Sequence, residues 1–200
     1  CALPILWIYP QVPEINTRAD IIITDDISEV IEGISNKKKI LYYPKNEENL
    51  NSIKGTYCTD FWCYPMFRSI SEGMGKPIPV GTMGLLIDNN NPALKYFPCE
   101  FYSTPQWWDI VMNSHLSILD DVKVNPIVQM IDNFERNHRL GLIYEINIED
   151  TDILVCTSPL DKIENSISAG WLKYSLIQYI LSPDFKPEKS VDINSFKTIF

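Results

Sequence analysis

Long apolar runs are missing from this sequence. No stretch approaches the roughly 18 consecutive apolar residues that a membrane-crossing helix needs, so membrane insertion is not expected. Basic charge is also short. Lys and Arg number 17 against 26 Asp and Glu, a net charge of −9. A chain this acidic is a poor match for a phosphate backbone, which argues against nucleic acid as a partner. Its one basic block, Lys37-Lys38-Lys39, reads as a solvated helix end. Histidine is limited to His115 and His138, far apart and without a His-x-x-x-His spacing or a carboxylate cluster, so no metal is expected.

The motifs on which small-molecule chemistry is often built are absent too. There is no G-x-S-x-G or G-x-C-x-G elbow, no G-x-x-x-x-G-K-[ST] loop and no G-x-G-x-x-G fingerprint. The pair in Gly81-Thr82-Met83-Gly84 leads into a strand rather than out of one, whereas a phosphate needs the N-terminus of a helix that follows a strand. It reads as a turn, and no cofactor is expected. The five cysteines are odd in number and include no C-x-x-C pair, which argues against a disulfide framework or a zinc knuckle. Cys99 and Cys156 read as small buried hydrophobes. A catalytic thiol needs an imidazole beside it, and no spacing here supplies one. Cys1 would suit a lipid anchor, but apolar residues follow it without a linker, so a boundary cut from a longer chain is expected.

What remains is ordinary globular composition in 200 residues, 45% hydrophobic and 22% charged, which predicts one folded domain over residues 1–200. Residues 3–9 read as a buried strand ended by Pro10, and 21–23 as a second short apolar run. Asp26 stands three residues before Glu29 as a variant capping box, and Ile27, Val30, Ile31 and Ile34 then recur on one helical face. Residues 39–43 form the next strand. Strand, helix and strand in so short a span predict a βαβ crossover and parallel pairing. Residues 45–54 read as a polar exposed loop. Pro65 opens a helix that places Met66, Phe67, Ile70 and Met74 in register, with Gly75 as its left-handed stop. Residues 83–87 read as a strand, and Asn91-Pro92 and Thr104-Pro105 as short helix starts.

The last third is richer in strands: 116–119, 127–131, 140–148 and 153–156, with Glu149-Asp150-Thr151 short enough for a hairpin. These predict antiparallel pairing that extends or caps the parallel part. A final helix over 163–181 would place Ile163, Ile167, Trp171, Tyr174, Ile177 and Leu181 on one side, and the tail beyond Pro187 reads as loosely held. No repeat or low-complexity linker divides the chain.

Two arrangements could carry recognition. The densest polar cluster runs from Asp132 and Asn133 through Arg136, Asn137 and His138, between two strong strands. It would grip a sugar, a peptide or a neighbouring domain, or it is a hairpin tip whose side chains satisfy one another. Trp62, Trp107 and Trp108 sit near loops and could stack on sugar rings, although adjacent tryptophans on a helix cannot both face one way. The pairs Asp25-Asp26 and Asp120-Asp121 read as capping and turn residues, because neighbours on a strand point to opposite faces.

Several segments together resemble a C-terminal module of bacterial, β-galactosidase-like glycoside hydrolase family 2 proteins. They are Tyr57-Cys58-Thr59-Asp60-Phe61-Trp62-Cys63-Tyr64-Pro65, Gly75-Lys76-Pro77, Gly81-Thr82-Met83-Gly84, Asn91-Pro92-Ala93-Leu94, Gln106-Trp107-Trp108, Pro126-Ile127-Val128-Gln129 and Arg136-Asn137-His138-Arg139. The segment Leu154-Val155-Cys156-Thr157-Ser158 also fits. The resemblance implies an α/β fold, a flavodoxin-like or glutamine amidotransferase-like three-layer sandwich. Its sheet would be parallel in the N-terminal half and extended by antiparallel strands in the C-terminal half. The amidotransferase-type nucleophile elbow has no counterpart, since residues 39–43 run into Pro44-Lys45. Family 2 catalysis uses two glutamates on a (β/α)8 barrel of about 250 residues, which this chain cannot hold. The resemblance therefore implies no catalytic residue here. It implies an accessory domain of a larger, periplasmic or cell-surface glycosidase, with the parent's other domains and glycan as partners. A stand-alone amidotransferase-like or hydrolase enzyme and a structural spacer or dimerisation module are the alternatives.

Overall fold

The computed structural model describes residues 8–15, 21–45, 51–57, 64–76 and 81–200. Most of the strand read at 3–9, together with Cys1, Cys58, Cys63 and Trp62, lies outside the described residues. Ile8 and Tyr9, the described end of that strand, are not in regular structure.

The βαβ unit forms as its pattern requires. Strand β1 (Ile21–Thr24) leads to helix α1 (Ile27–Ser35), and β2 (Lys39–Tyr42) returns parallel to β1 with Ile22 beside Ile40. Asp26 caps the helix: its carboxylate accepts the Ser28 N–H at 2.8 Å, while its own N–H donates to Thr24 Oγ1 at 3.0 Å. The buried face is rotated from the one expected. Val30 and Ile34 are buried, and Gly33 lies so close to the sheet that a Cβ there would come within 2.8 Å of Ile22 and 2.9 Å of Ile40. Contact centred on Val30, Gly33 and Ile34 leaves Ile31, about 100° around the helix from Val30, on the flank at 36% exposure.

The antiparallel part also follows the pattern. Strands β5 (His115–Ile118), β6 (Val128–Ile131), β7 (Arg139–Ile148) and β8 (Thr151–Cys156) account for the four apolar runs. Glu149 and Asp150, both at positive φ (49° and 65°), make the two-residue hairpin turn between β7 and β8. The two halves of the sheet meet on β8, which pairs antiparallel with β7 on one edge and parallel with β2 on the other. Part of the expected polar loop is instead β3 (Ser52–Lys54), antiparallel to β5, and β4 (Gly84–Ile87) pairs with β6. The sheet order is β1-β2-β8-β7-β5-β3, with β6 and β4 attached at β7.

Three layers result. Leu41, Leu154 and Cys156 point to one face of the sheet, and Ile40, Ile153 and Val155 to the other, each set within its own apolar cluster. Because both faces are covered, β2 and β8 read as nearly continuous apolar runs. The first face is covered by the short helix α3 (Trp108–Met112) and by α4 (Ile167–Leu181), the second by α1 and α5 (Ile193–Ile199).

Two expectations are corrected here. Helix α4 begins after Ser166, whose hydroxyl accepts the Ala169 N–H; of the expected face Ile177 is buried and Ile163, Trp171 and Leu181 pack partly buried against the core, but Ala169, Leu172, Leu176 and Ile180 are also buried and Ile167 is exposed. Apolar residues surround this helix, so spacing alone could not orient it. The tail is docked rather than loose: Val191 N–H bonds to Asn147 O at 2.9 Å, and Phe196 and Ile199 are buried. Helix α2 (Tyr64–Gly73) ends as expected, with Gly75 at φ 62°, yet Met66, Ile70 and Met74 are exposed. Among the described residues no helix is long and apolar enough to cross a membrane.

Candidate functional site

The expected recognition surface has a structural basis in one short crossing of chains. Tyr57 and Thr82 form a parallel bridge, with the Thr56 N–H donating to Thr82 Oγ1 at 3.1 Å. On one side of this bridge Trp108 stacks on Tyr57, with ring centroids 5.4 Å apart and planes 15° apart. On the other, the Gly81 carbonyl accepts from Asn133 Nδ2 at 3.2 Å and from Arg136 Nη2 at 3.3 Å. Trp108 and the 132–138 loop, far apart in sequence, are thereby brought to one edge of the domain. Helix α2 is tied to the loop through Arg68, which holds Glu135 at 3.0 Å as well as Glu72 of its own helix at 2.9 Å.

The loop is built around a buried carboxylate. Asp132 takes the Arg136 guanidinium at 2.6 Å, the Asn133 N–H at 2.8 Å and the His138 N–H at 3.1 Å. The Asn133 side-chain oxygen accepts the N–H groups of Glu135 and Arg136, both at 3.0 Å, and Asn137 turns the chain at φ 53°. These bonds tie the polar side chains to the loop itself, which is the hairpin-tip alternative left open by the sequence. Asp132 and Asn133 are buried and are not surface ligand groups. His138 Nδ1 lies 2.6 Å from Asp120, whose carboxylate also accepts the Arg139 N–H at 2.7 Å. The Arg139 N–H, then the imidazole, hold Asp120 below the ordinary carboxylate range. Asp26 and Asp120 thus do the capping and turn work read for the paired aspartates.

The adjacent tryptophans separate as helix geometry requires. Trp107 is fully buried and meets Phe97 edge-on at 5.0 Å, so it is core rather than a recognition residue. Trp108 is 52% exposed. Of the expected residues within the described part, Trp108, Arg136, Asn137 and His138 reach the surface.

Sequence reasoning missed the exposed apolar groups on β4, β6 and the neighbouring 101–102 and 134 positions. Leu86 of β4 bridges to Tyr102, which meets Phe101 edge-on at 5.0 Å, and all three are exposed, as are Ile131 and Phe134. The signal was available in Leu85-Leu86-Ile87. A strand with one wet face should alternate, and three apolar residues in succession put an apolar side chain, Leu86, on the wet face.

Neither of the two cysteines among the described residues is placed as a nucleophile. Burial pushes the Cys99 thiol up to about 11 and the Cys156 thiol to about 12, so neither supplies thiolate at neutral pH. Among the described residues no group of three or more His, Cys, Asp or Glu is arranged to hold a metal ion.

No curated protein matches this chain. A family described as a domain of unknown function, DUF8487, matches residues 22–200, from the second residue of β1 to the last residue of the chain, and the protein belongs to that family.

Proposed function

We propose that this domain is a non-catalytic accessory module of a larger carbohydrate-degrading protein, docked on the parent's other domains through the edge that carries Trp108. The resemblance to family 2 glycosidase modules motivates the context. The observation that carries the docking surface is the outer face of β4 and β6, where Leu86 and Ile131 stand exposed beside Tyr102, in a sheet whose β2 and β8 are covered on both faces. Exposed aromatic and aliphatic groups on β4, β6 and the 101–102 segment, with charged residues such as Arg68 and Arg136 on the nearby 132–138 loop and α2, have the composition of an interface between domains. The rigid loop fits the same role, since Asp132 and Asn133 fix its shape and leave Phe134 outward.

The test compares the protein of the full open reading frame with the isolated chain. Amide exchange at residues 84–87, 101–102 and 128–131 is expected to be slower in the full protein. Trp108→Glu combined with Leu86→Glu should return it to the isolated-chain rate while β2 and β8 stay protected. Equal exchange in both proteins would refute docking at this edge. Turnover of an aryl β-galactoside by the isolated chain, abolished by mutation of one of its residues, would refute the non-catalytic reading.

A further inference from the structure

A second feature lies away from the Trp108 edge, at the carboxyl ends of the parallel strands. The chain leaves β1 for α1, on one face of the sheet, and leaves β8 for α4, on the other. Connections that depart to opposite faces open a crevice at the strand ends, the position where open α/β sheets bind ligands. Here it is a cleft of about 530 Å³, lined by Asp25 and Glu29 after β1, Tyr43 and Lys45 after β2, and Asp161 and Lys162 after β8.

Tyr43 is the lining residue that most needs a partner. It is 95% buried (5% exposed), and its hydroxyl, beside Cys156 and Asp161, has no hydrogen-bond partner among the described residues. A buried hydroxyl left without a partner carries the full cost of its desolvation; this one is shielded from water, so a ligand hydroxyl removes that cost only if the side chain turns into the cleft.

Charge and capping narrow the ligand. With Asp26, and with Lys173 of α4 paired to Asp161, the rim holds four carboxylates against three ammonium groups, and these already alternate in space. Lys162 Nζ is 2.9 Å from Asp25, and Lys45 Nζ is 3.5 Å from Asp25 and 3.6 Å from Asp26. The helix N-terminus that would greet a phosphate in such a crevice is occupied by the protein's own Asp26 carboxylate, bound to the Ser28 N–H. An anion would therefore meet a filled donor site and a net negative rim. A hydroxyl group, by contrast, donates to a carboxylate and accepts from an ammonium at once, and vicinal hydroxyls match paired Asp and Lys. The apolar part of the wall, Ile23, Pro44 and Pro159, suits the C–H face of such a molecule.

We propose that this cleft binds a compact, uncharged polyhydroxylated ligand, a saccharide end or a free polyol, through Asp25, Lys45, Lys162 and the Tyr43 hydroxyl. The site shares no residue with the Trp108 edge, so the two readings stand or fall separately.

The experiment is a titration of the isotope-labelled chain, followed by amide chemical shifts. Methyl β-galactopyranoside and cellobiose probe a saccharide source, myo-inositol a polyol, inorganic phosphate an anion and putrescine a cation. Saturable shifts at residues 24–26, 45 and 160–162 are expected with at least one hydroxylated probe. Asp25→Asn and Lys162→Gln should weaken that binding about tenfold. Tyr43→Phe should weaken it several-fold while the unliganded protein keeps or raises its melting temperature, because the hydroxyl it removes has no partner and its desolvation cost goes with it. If Tyr43→Phe does not fold, Lys162→Gln, at an exposed position, decides. Trp108→Glu should leave the binding unchanged. The proposal is overturned if no hydroxylated probe saturates, if only phosphate or putrescine shifts these residues, or if the folded cleft variants bind as tightly as the parent chain.

Discussion

Replacing Phe196 by alanine measures how firmly the C-terminal helix is held. The ring is fully buried, with centroids 6.2 Å from Tyr42 and 5.0 Å from Phe200, against the face of the sheet that α1 also covers. Deleting a fully buried phenylalanine costs the lost transfer free energy plus the cavity left behind, about 3–5 kcal/mol. Tyr42 and Ile153 hang on strands fixed by pairing on both sides, so they cannot collapse far into the space, and the upper part of that range is expected. For a chain of this size the loss corresponds to a melting temperature lower by about 6–20 °C. Urea unfolding followed by tryptophan fluorescence is the assay. The midpoint should fall while the slope stays unchanged, because the same surface is exposed on unfolding. Phe200→Ala, at a partly exposed position, should cost clearly less. A loss below about 1 kcal/mol for Phe196→Ala would refute a docked tail and restore the loosely held one that the sequence suggests.

Helix α1 and Glu145 give two further tests. Val30→Ala should destabilise by about 2 kcal/mol and Ile31→Ala by about 1 kcal/mol or less, measured by the same unfolding curves; the reverse order would place the buried face where the simple periodicity put it. Glu145 receives the Tyr179 hydroxyl at 2.6 Å, but burial dominates and holds its carboxyl above the ordinary glutamate value. With the folded pKa above the unfolded one, the folded state binds the extra proton, so stability falls as pH rises from about 4.3 through the raised value. Glu145→Gln should flatten that decline in unfolding free energy between acid and neutral pH, and an unchanged slope would refute the assignment.

What the sequence determined was local. Asp26 before the apolar face of α1, Gly75 after α2, Glu149-Asp150 between β7 and β8, and the strand runs themselves are legible because caps, turns and periodicity act over a few residues. The α/β class and the parallel βαβ unit follow from those pieces in order. Tertiary structure decided what local pattern leaves open. That β8 joins the antiparallel hairpin to the parallel strands depends on β2, more than a hundred residues earlier, finding its free edge. The orientation of α4 and the separation of Trp107 from Trp108 depend on which neighbour lies against an element that is apolar on several sides. The same holds at both candidate sites. The residues of the 132–138 loop could be read as polar, but burial of Asp132 required the Gly81 carbonyl and Arg136 to close over it. Asp25, Tyr43, Lys45 and Lys162 carry no motif at all. They meet only because three parallel strands end together, and pairing between distant segments is a contact whose cost and reward are not written in any single stretch of chain.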